Sequence, residues 1–180
     1  MRNLLTVPVL LVLLINTCVA DVAENQANAF IKIYSSLCLK HISNLENLRQ
    51  QLKPIPKLPT KKSARFLSGY KGDAWPIPNK FGLFVLALPD NNNICLVYAR
   101  RADAKKSEEI FTRLVSTAPK PITARLAGAT NMQTAVNGTT RTISYEWSIP
   151  GAVRKRLFTL TTANSGNAQI QVLGSAALVK

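Results

Sequence analysis

Residues 81–99 read FGLFVLALPDNNNICLVYA, and this stretch decides the fold. Phe81 to Leu88 is apolar and rich in residues that favour strands, and Ile94 to Ala99 repeats that character. Between them, residues 89–93 (PDNNN) are of the types that favour a tight turn. The pattern predicts a β-hairpin with Cys95 in its second strand.

Helical patterns lie on both sides of this hairpin. From Glu24 to Leu52 apolar residues recur at helical spacing without an intervening proline, which predicts one long amphipathic helix that ends before Pro54. After the hairpin, Asp103 can cap a second helix from Ala104 to Thr117. Both helices carry an apolar stripe that needs a sheet to cover it.

The rest of the chain indicates antiparallel strands joined by turns. The residues between the first helix and the hairpin predict a connector over 53–62, a turn over 69–73 and an irregular stretch over 75–78 that plugs one edge of the core. After the second helix, three or four antiparallel strands are predicted, from candidate segments over 122–130, 132–136, 139–149, 156–163 and 168–178. The fold class is therefore α+β, with a long N-terminal helix and a second helix packed on one face of a twisted antiparallel sheet of five to six strands.

The N-terminus has the pattern of a secretory signal peptide. Arg2 supplies a positive charge, Leu4 to Ile15 is apolar, and small residues follow up to Ala20. The apolar run is shorter than the roughly 20 residues that span a bilayer. We expect cleavage near Ala20, which leaves residues 21–180 as a single α+β domain without a transmembrane segment, periplasmic or secreted. A lipoprotein anchored through Cys18 is the alternative, although residues 15–17 (INT) fit its consensus poorly.

The cysteine count predicts one disulfide. Cys38 and Cys95 remain after cleavage, and an even number of cysteines in an oxidising compartment favours pairing. The bridge would join the long helix to the sheet. Closing a loop of this length stabilises a fold by roughly 4 kcal/mol in the chain-entropy description.

The sequence offers little for catalysis. His41 is the only histidine, and it follows Cys38 by one helical turn, so a thiolate–imidazole pair is one interpretation and a structural histidine beside a disulfide is the other. Asp73 and Glu146 are the carboxylates that the fold could bring together, as a glycosidase requires. We expect no enzyme activity, no cofactor and no metal site. A hydrolase with an unrecognised site is the remaining alternative.

The charge is strongly positive and unevenly distributed. The chain carries 23 Lys and Arg against 9 Asp and Glu, a formal net charge of +14, which predicts attraction to anions. Smaller basic groups lie at 100–101 with 105–106 and at 154–156. The main basic cluster has no acid between Glu46 and Asp73, and we expect it to bind an anion or a partner through Arg49, Lys53, Lys57, Lys61, Lys62 and Arg65.

Two features qualify this cluster. Only Phe66 and Tyr70 accompany the charges, so nucleic acid, which needs stacking aromatics, is disfavoured as the ligand. Trp75 is a further candidate contact, as an exposed anchor for a partner or, alternatively, as a buried side chain that closes the core. A basic connector that serves only solubility is the other interpretation of the cluster.

Several segments resemble a family of small uncharacterised bacterial exported proteins or lipoproteins. They are residues 38–41 (CLKH), 64–67 (ARFL), 72–75 (GDAW), Cys95 and 111–115 (FTRLV), and the match covers about residues 25–118. The resemblance implies a bacterial envelope and paired cysteines, and it supplies no activity. The sequence around Cys18 departs from the lipoprotein members.

We therefore expect an exported, non-enzymatic envelope protein. Its basic surface would bind an acidic macromolecular partner, as an accessory or immunity-like factor does. The alternative is direct binding of an anionic envelope polymer such as lipopolysaccharide. In either case salt should weaken binding, because it screens exposed charges.

Overall fold

The computed structural model describes residues 13–180, with side chains from Asp21 onward. Most of the predicted signal peptide, including the side chain of Cys18, lies outside the described residues, and the backbone of residues 13–20 begins the first helix. Cleavage near Ala20 and the lipid anchor therefore stay predictions. Within the described part of the chain, no helix combines the length and the apolar character needed to cross a bilayer.

In the described residues, four α-helices and seven strands form the fold. The helices are α1 (Leu13–Ile33), which continues as a π-helical segment (Tyr34–Leu39), α2 (Leu45–Leu52), α3 (Thr60–Ser63), which is followed by a 3-10 turn (Ala64–Phe66), and α4 (Ala104–Val115). The strands are β1 (Gly72–Ile77), β2 (Phe84–Pro89), β3 (Ile94–Ala99), β4 (Thr123–Thr134), β5 (Gly138–Ser148), β6 (Lys155–Ala163) and β7 (Val172–Val179).

The predicted α+β class is confirmed, but the sheet has seven strands rather than five to six. All are antiparallel, in the order β1-β2-β3-β7-β6-β5-β4. The strand missed by the sequence analysis is β1, which contains Pro76 and was expected to be a turn and an irregular stretch. Proline is tolerated there because β1 is an edge strand, so the missing N–H breaks no inner ladder.

The predicted single helix over 24–52 is wrong at its C-terminal end. Asn44 leaves the helical conformation, and its side-chain oxygen accepts a hydrogen bond from the Asn47 backbone N–H at 3.0 Å. Asparagine competes with helical hydrogen bonding and favours the N-cap, so it starts α2 instead of continuing the first helix. The apolar periodicity carries no information about this interruption.

The two predicted helices pack on the same face of the sheet, and the other face is partly covered as well. Alternate residues of β3 separate the two sides, since Cys95 and Val97 join the larger core while Leu96 and Tyr98 join a smaller one. Residues from α1, the π-helical segment, α2 and α4 belong to the larger core. The smaller core lies on the other face, which we call the outer face, and includes Phe66 of the 3-10 turn.

The disulfide is present and joins the helical layer to the sheet. Cys38 in the π-helical segment bonds Cys95 in β3, with the two Cα atoms 5.4 Å apart and both side chains buried. At the C-terminal end of α4, the Trp147 indole N–H donates to the Val115 carbonyl at 2.6 Å and holds that helix on β5. Asp103 caps α4 as predicted, because its carboxylate accepts from the Lys106 backbone N–H.

Candidate anion-binding surface

Arg49, in the predicted basic cluster, is occupied inside the structure. Its guanidinium donates to the Leu88 and Pro89 carbonyls at 3.0 and 3.1 Å, and it lies 3.2 Å from the Asp90 carboxylate and 3.5 Å from that of Asp73. Its side chain is 21% exposed. Arg49 therefore attaches α2 to the end of β2 and has few donors left for a ligand.

Lys57 is paired with an acid, and Trp75 is buried. The Lys57 ammonium lies 2.7 Å from the Asp73 carboxylate and 5.8 Å from the centre of the Trp75 ring. Trp75 is 1% exposed and belongs to the larger core. The structure thus follows the alternative in which Trp75 closes the core, and its ring is not at the surface for a partner to contact.

Five cations of the cluster are exposed, and four of them remain after the paired Lys57 is set aside: Lys53, Lys61, Lys62 and Arg65. None of the four forms an ion pair with another described residue. Lys61 and Lys62 lie in α3, and Arg65 lies in the adjoining 3-10 turn. Lys53 lies apart from them in sequence, just after α2.

The 3-10 turn is held against the outer face by Tyr98 of β3. The Tyr98 hydroxyl donates to the Phe66 carbonyl at 3.0 Å, and the two rings meet edge to face at 5.1 Å. Burial is the main effect on the pKa of Tyr98 and raises it, so the phenol stays a neutral donor. This contact fixes the position of Arg65, the residue just before Phe66.

A cavity of about 430 Å³ opens beside this contact and brings a second cation to Arg65. Arg100, just after β3, lines the same cavity as Arg65, and none of its described lining residues is acidic. Most of the wall is apolar and is contributed by Phe66, Leu83, Val85, Tyr98 and Ile170. We refer to Lys61, Lys62, Arg65 and Arg100 as the α3 surface.

The sequence did not associate Arg100 with the main basic cluster. The two arginines are 35 positions apart, and only the pairing of β2 with β3 and the position of the 3-10 turn bring them together. Strand alternation could have placed Tyr98 on the outer face, but no local pattern shows which turn covers it.

Some of the other basic residues are paired with acids. Lys106 and Arg113 lie beside Glu109, and Arg141 lies 2.8 Å from Glu108. On the outer face Glu146 lies between Arg125 and Lys155, at 3.3 Å from each. Partial burial acts to raise the pKa of Glu146, but the hydrogen bonds and charges of its two neighbours lower it overall.

The geometry removes both catalytic arrangements considered from the sequence. Cys38 is in a disulfide and has no thiolate for His41 to activate. Asp73 and Glu146 lie on β1 and β5, with four strands between them, roughly 24 Å apart at ~4.8 Å per strand. In residues 21–180 the side chains of His, Cys, Asp and Glu form no group of three suited to hold a metal ion.

Fold and surface together define a class: a disulfide-tied α+β domain with an exposed cationic surface beside an apolar-walled cavity. A scan against models of protein families found no family that matches the chain, and no curated protein matches its sequence.

Proposed function

We propose that this is an exported, non-enzymatic protein that binds an acidic macromolecular partner through the α3 surface. The observation that carries the proposal is the clustering of unpaired cations. Lys61, Lys62 and Arg65 lie in α3 and the adjoining 3-10 turn, and Arg100 lines the same cavity as Arg65. None of the four has an acidic partner among the described residues.

Unpaired like charges that lie close together repel one another. An acidic partner removes this repulsion and gains attraction at the same surface, and it also associates faster because the field steers it. Two further cations of the original cluster, Arg49 and Lys57, are excluded because they already form ion pairs with Asp73 and Asp90 or with Asp73 alone.

A second candidate function is direct binding of an anionic envelope polymer such as lipopolysaccharide. The apolar wall of the cavity next to Arg65 and Arg100 favours it, because such a polymer carries alkyl chains as well as anionic groups. A purely acidic protein would use the cations and leave the apolar wall exposed.

The test compares two triple variants that lose the same charge. Lys61→Ser/Lys62→Ser/Arg65→Ser removes three of the four cations of the α3 surface. Lys120→Ser/Arg154→Ser/Lys180→Ser removes three exposed cations at the strand ends opposite to Arg100. Binding to immobilised polyglutamate, a substitute for an acidic protein, and to purified lipopolysaccharide is measured by biolayer interferometry at several salt concentrations.

We expect the α3 variant to lose affinity by about tenfold, since exposed charge contacts contribute ~0.2–1 kcal/mol each. The control variant should lose about twofold or less. Equal losses in the two variants would show that only net charge matters, and they would refute a defined site. Circular dichroism of both variants checks that they fold.

A further inference from the structure

The cavity beside the α3 surface has an apolar wall and an exposed apolar side chain at its edge, and a purely electrostatic surface needs neither. The side chain is that of Leu83, which is 74% exposed. The cavity's volume of about 430 Å³ falls within the ~300–1,000 Å³ typical of small-molecule sites. The free energy falls when another apolar group covers large apolar side chains that are exposed to water.

The apolar wall exists because the outer face is incompletely covered. The 3-10 turn places Phe66 over Tyr98, but Val85 and Ile170 at the border of the smaller core are only half-buried. The side chain of Leu83 belongs to the segment before β2, outside both described cores. An alkyl chain lying along these residues would extend the smaller core.

The polar groups of the cavity select the charge of the ligand. Arg65 and Arg100 both line it, and neither has an acidic partner among the described residues. The other polar side chains in the lining are Gln169 and Tyr98, whose hydroxyl donates to the Phe66 carbonyl. Guanidinium groups bind carboxylate and phosphate through paired hydrogen bonds. A cationic or uncharged head would leave two neighbouring positive charges without compensation.

We infer that this cavity binds a single-chain amphiphile with an anionic head, carboxylate or phosphate. Arg65 and Arg100 hold the head, and the alkyl chain lies against Phe66, Leu83, Val85 and Ile170. The inference rests on the proposed function, because Arg65 and Arg100 belong to the α3 surface, and it adds the chemical class of the ligand at one end of that surface.

Isothermal titration calorimetry tests it with four probes on the purified protein. Dodecanoate and dodecyl phosphate carry both parts of the ligand, acetate has the anionic head alone, and dodecyl maltoside has the chain with an uncharged head. All are used below their critical micelle concentrations. We expect one or both anionic amphiphiles to bind at least about tenfold more tightly than acetate or the maltoside. Whichever of dodecanoate and dodecyl phosphate binds more tightly shows whether the site prefers a carboxylate or a phosphate head.

Two variants and two matched controls locate the site. Arg65→Gln/Arg100→Gln removes the charges and Leu83→Ser removes exposed apolar surface, and each should weaken binding of the anionic amphiphile by about fivefold or more. Lys120→Gln/Arg154→Gln removes two distant cations, and Met132→Ser removes a distant apolar side chain that is also exposed. Neither control should change the affinity by more than about twofold.

The outcomes separate the inference from the proposed function. If polyglutamate or lipopolysaccharide binds through the α3 surface but no anionic amphiphile binds, the inference is wrong and the proposed function stands. Equal affinity for the maltoside, or equal losses in variants and controls, also refutes the inference. If neither the polymers nor the amphiphiles bind, both are wrong.

Discussion

Tyr34 connects the helical layer to the sheet with a single polar atom. Its ring is fully buried between Phe30 and Phe111, and its hydroxyl donates to the Ser175 carbonyl on β7 at 2.7 Å. Burial raises the pKa of Tyr34 well above its ordinary value, because the interior penalises the phenolate. The folded protein therefore keeps this proton at a pH where the unfolded chain releases it.

Tyr34→Phe should lower the free energy of unfolding at pH 7 by about 0.5–1.5 kcal/mol, the usual contribution of such a hydrogen bond. Above pH ~10 the unfolded wild-type chain ionises at Tyr34 and the folded protein does not, so wild type loses stability that the variant cannot lose. Urea denaturation from pH 7 to 11 should show the difference shrinking as the pH rises. A constant difference would contradict the buried neutral phenol.

Arg49 and Lys53 lie on neighbouring turns of the chain but have different roles. Arg49→Gln should destabilise the fold by about 1–3 kcal/mol, because the Leu88 and Pro89 carbonyls lose their side-chain donor. Asp90 also loses its cation, whereas Asp73 keeps Lys57. Lys53→Gln is the matched control and should stay within about 0.5 kcal/mol of wild type. Similar losses of stability for the two variants in urea denaturation would show that Arg49 contributes no more to the fold than Lys53 does.

At the scale of elements, α1 and the π-helical segment approach β7 closely because Gly174 has no side chain. A Cβ atom at Gly174 would lie 2.8 Å from Cζ of Phe30 and 3.0 Å from Cδ2 of Tyr34, and both rings are fully buried. The helical layer would have to move to accept it. Gly128, on edge strand β4, has no such neighbour within 4 Å.

Gly174→Ala should therefore destabilise the protein by about 1–3 kcal/mol, the typical cost of overpacking a core. Gly128→Ala should change the stability by about 0.5 kcal/mol or less. The midpoints of thermal and urea unfolding measure both effects. A stable Gly174→Ala variant would show that the helices are not held to β7 as described.

The sequence predicted those elements whose signals are local. The 94–99 strand, the Asp103 cap and the Cys38–Cys95 bridge follow from turn chemistry, capping and cysteine count, and the structure has all three. Strand β1 and the start of α2 were missed, because the first depends on pairing with β2 and the second on a side-chain cap at Asn44. The apolar periodicity of a segment shows which of its faces is apolar. It does not reveal strand pairing or a side-chain cap.

The candidate site shows the same division. Exposure of Lys61, Lys62 and Arg65 follows from the charged composition of the segment. The ion pairs of Arg49 and Lys57, in contrast, depend on where β1 places Asp73. Burial of Trp75 depends on that strand as well. Arg100 joins the surface through tertiary structure alone.

For the whole molecule, the net charge of +14 predicts attraction to any polyanion, and the α3 surface predicts where that attraction is concentrated. Uniform charge and a defined site both give salt-dependent binding, since screening weakens either one. The salt dependence of binding alone therefore does not separate them, and the location of the bound anion does.

The most direct measurement is the map of backbone amide chemical shifts when the ¹⁵N-labelled protein is titrated with polyglutamate. The account predicts the largest changes at residues 60–66 and around Arg100, with little change near Lys120, Arg154 and Lys180. Changes spread evenly over the exposed lysines and arginines, or concentrated at the opposite end of the sheet, would contradict it.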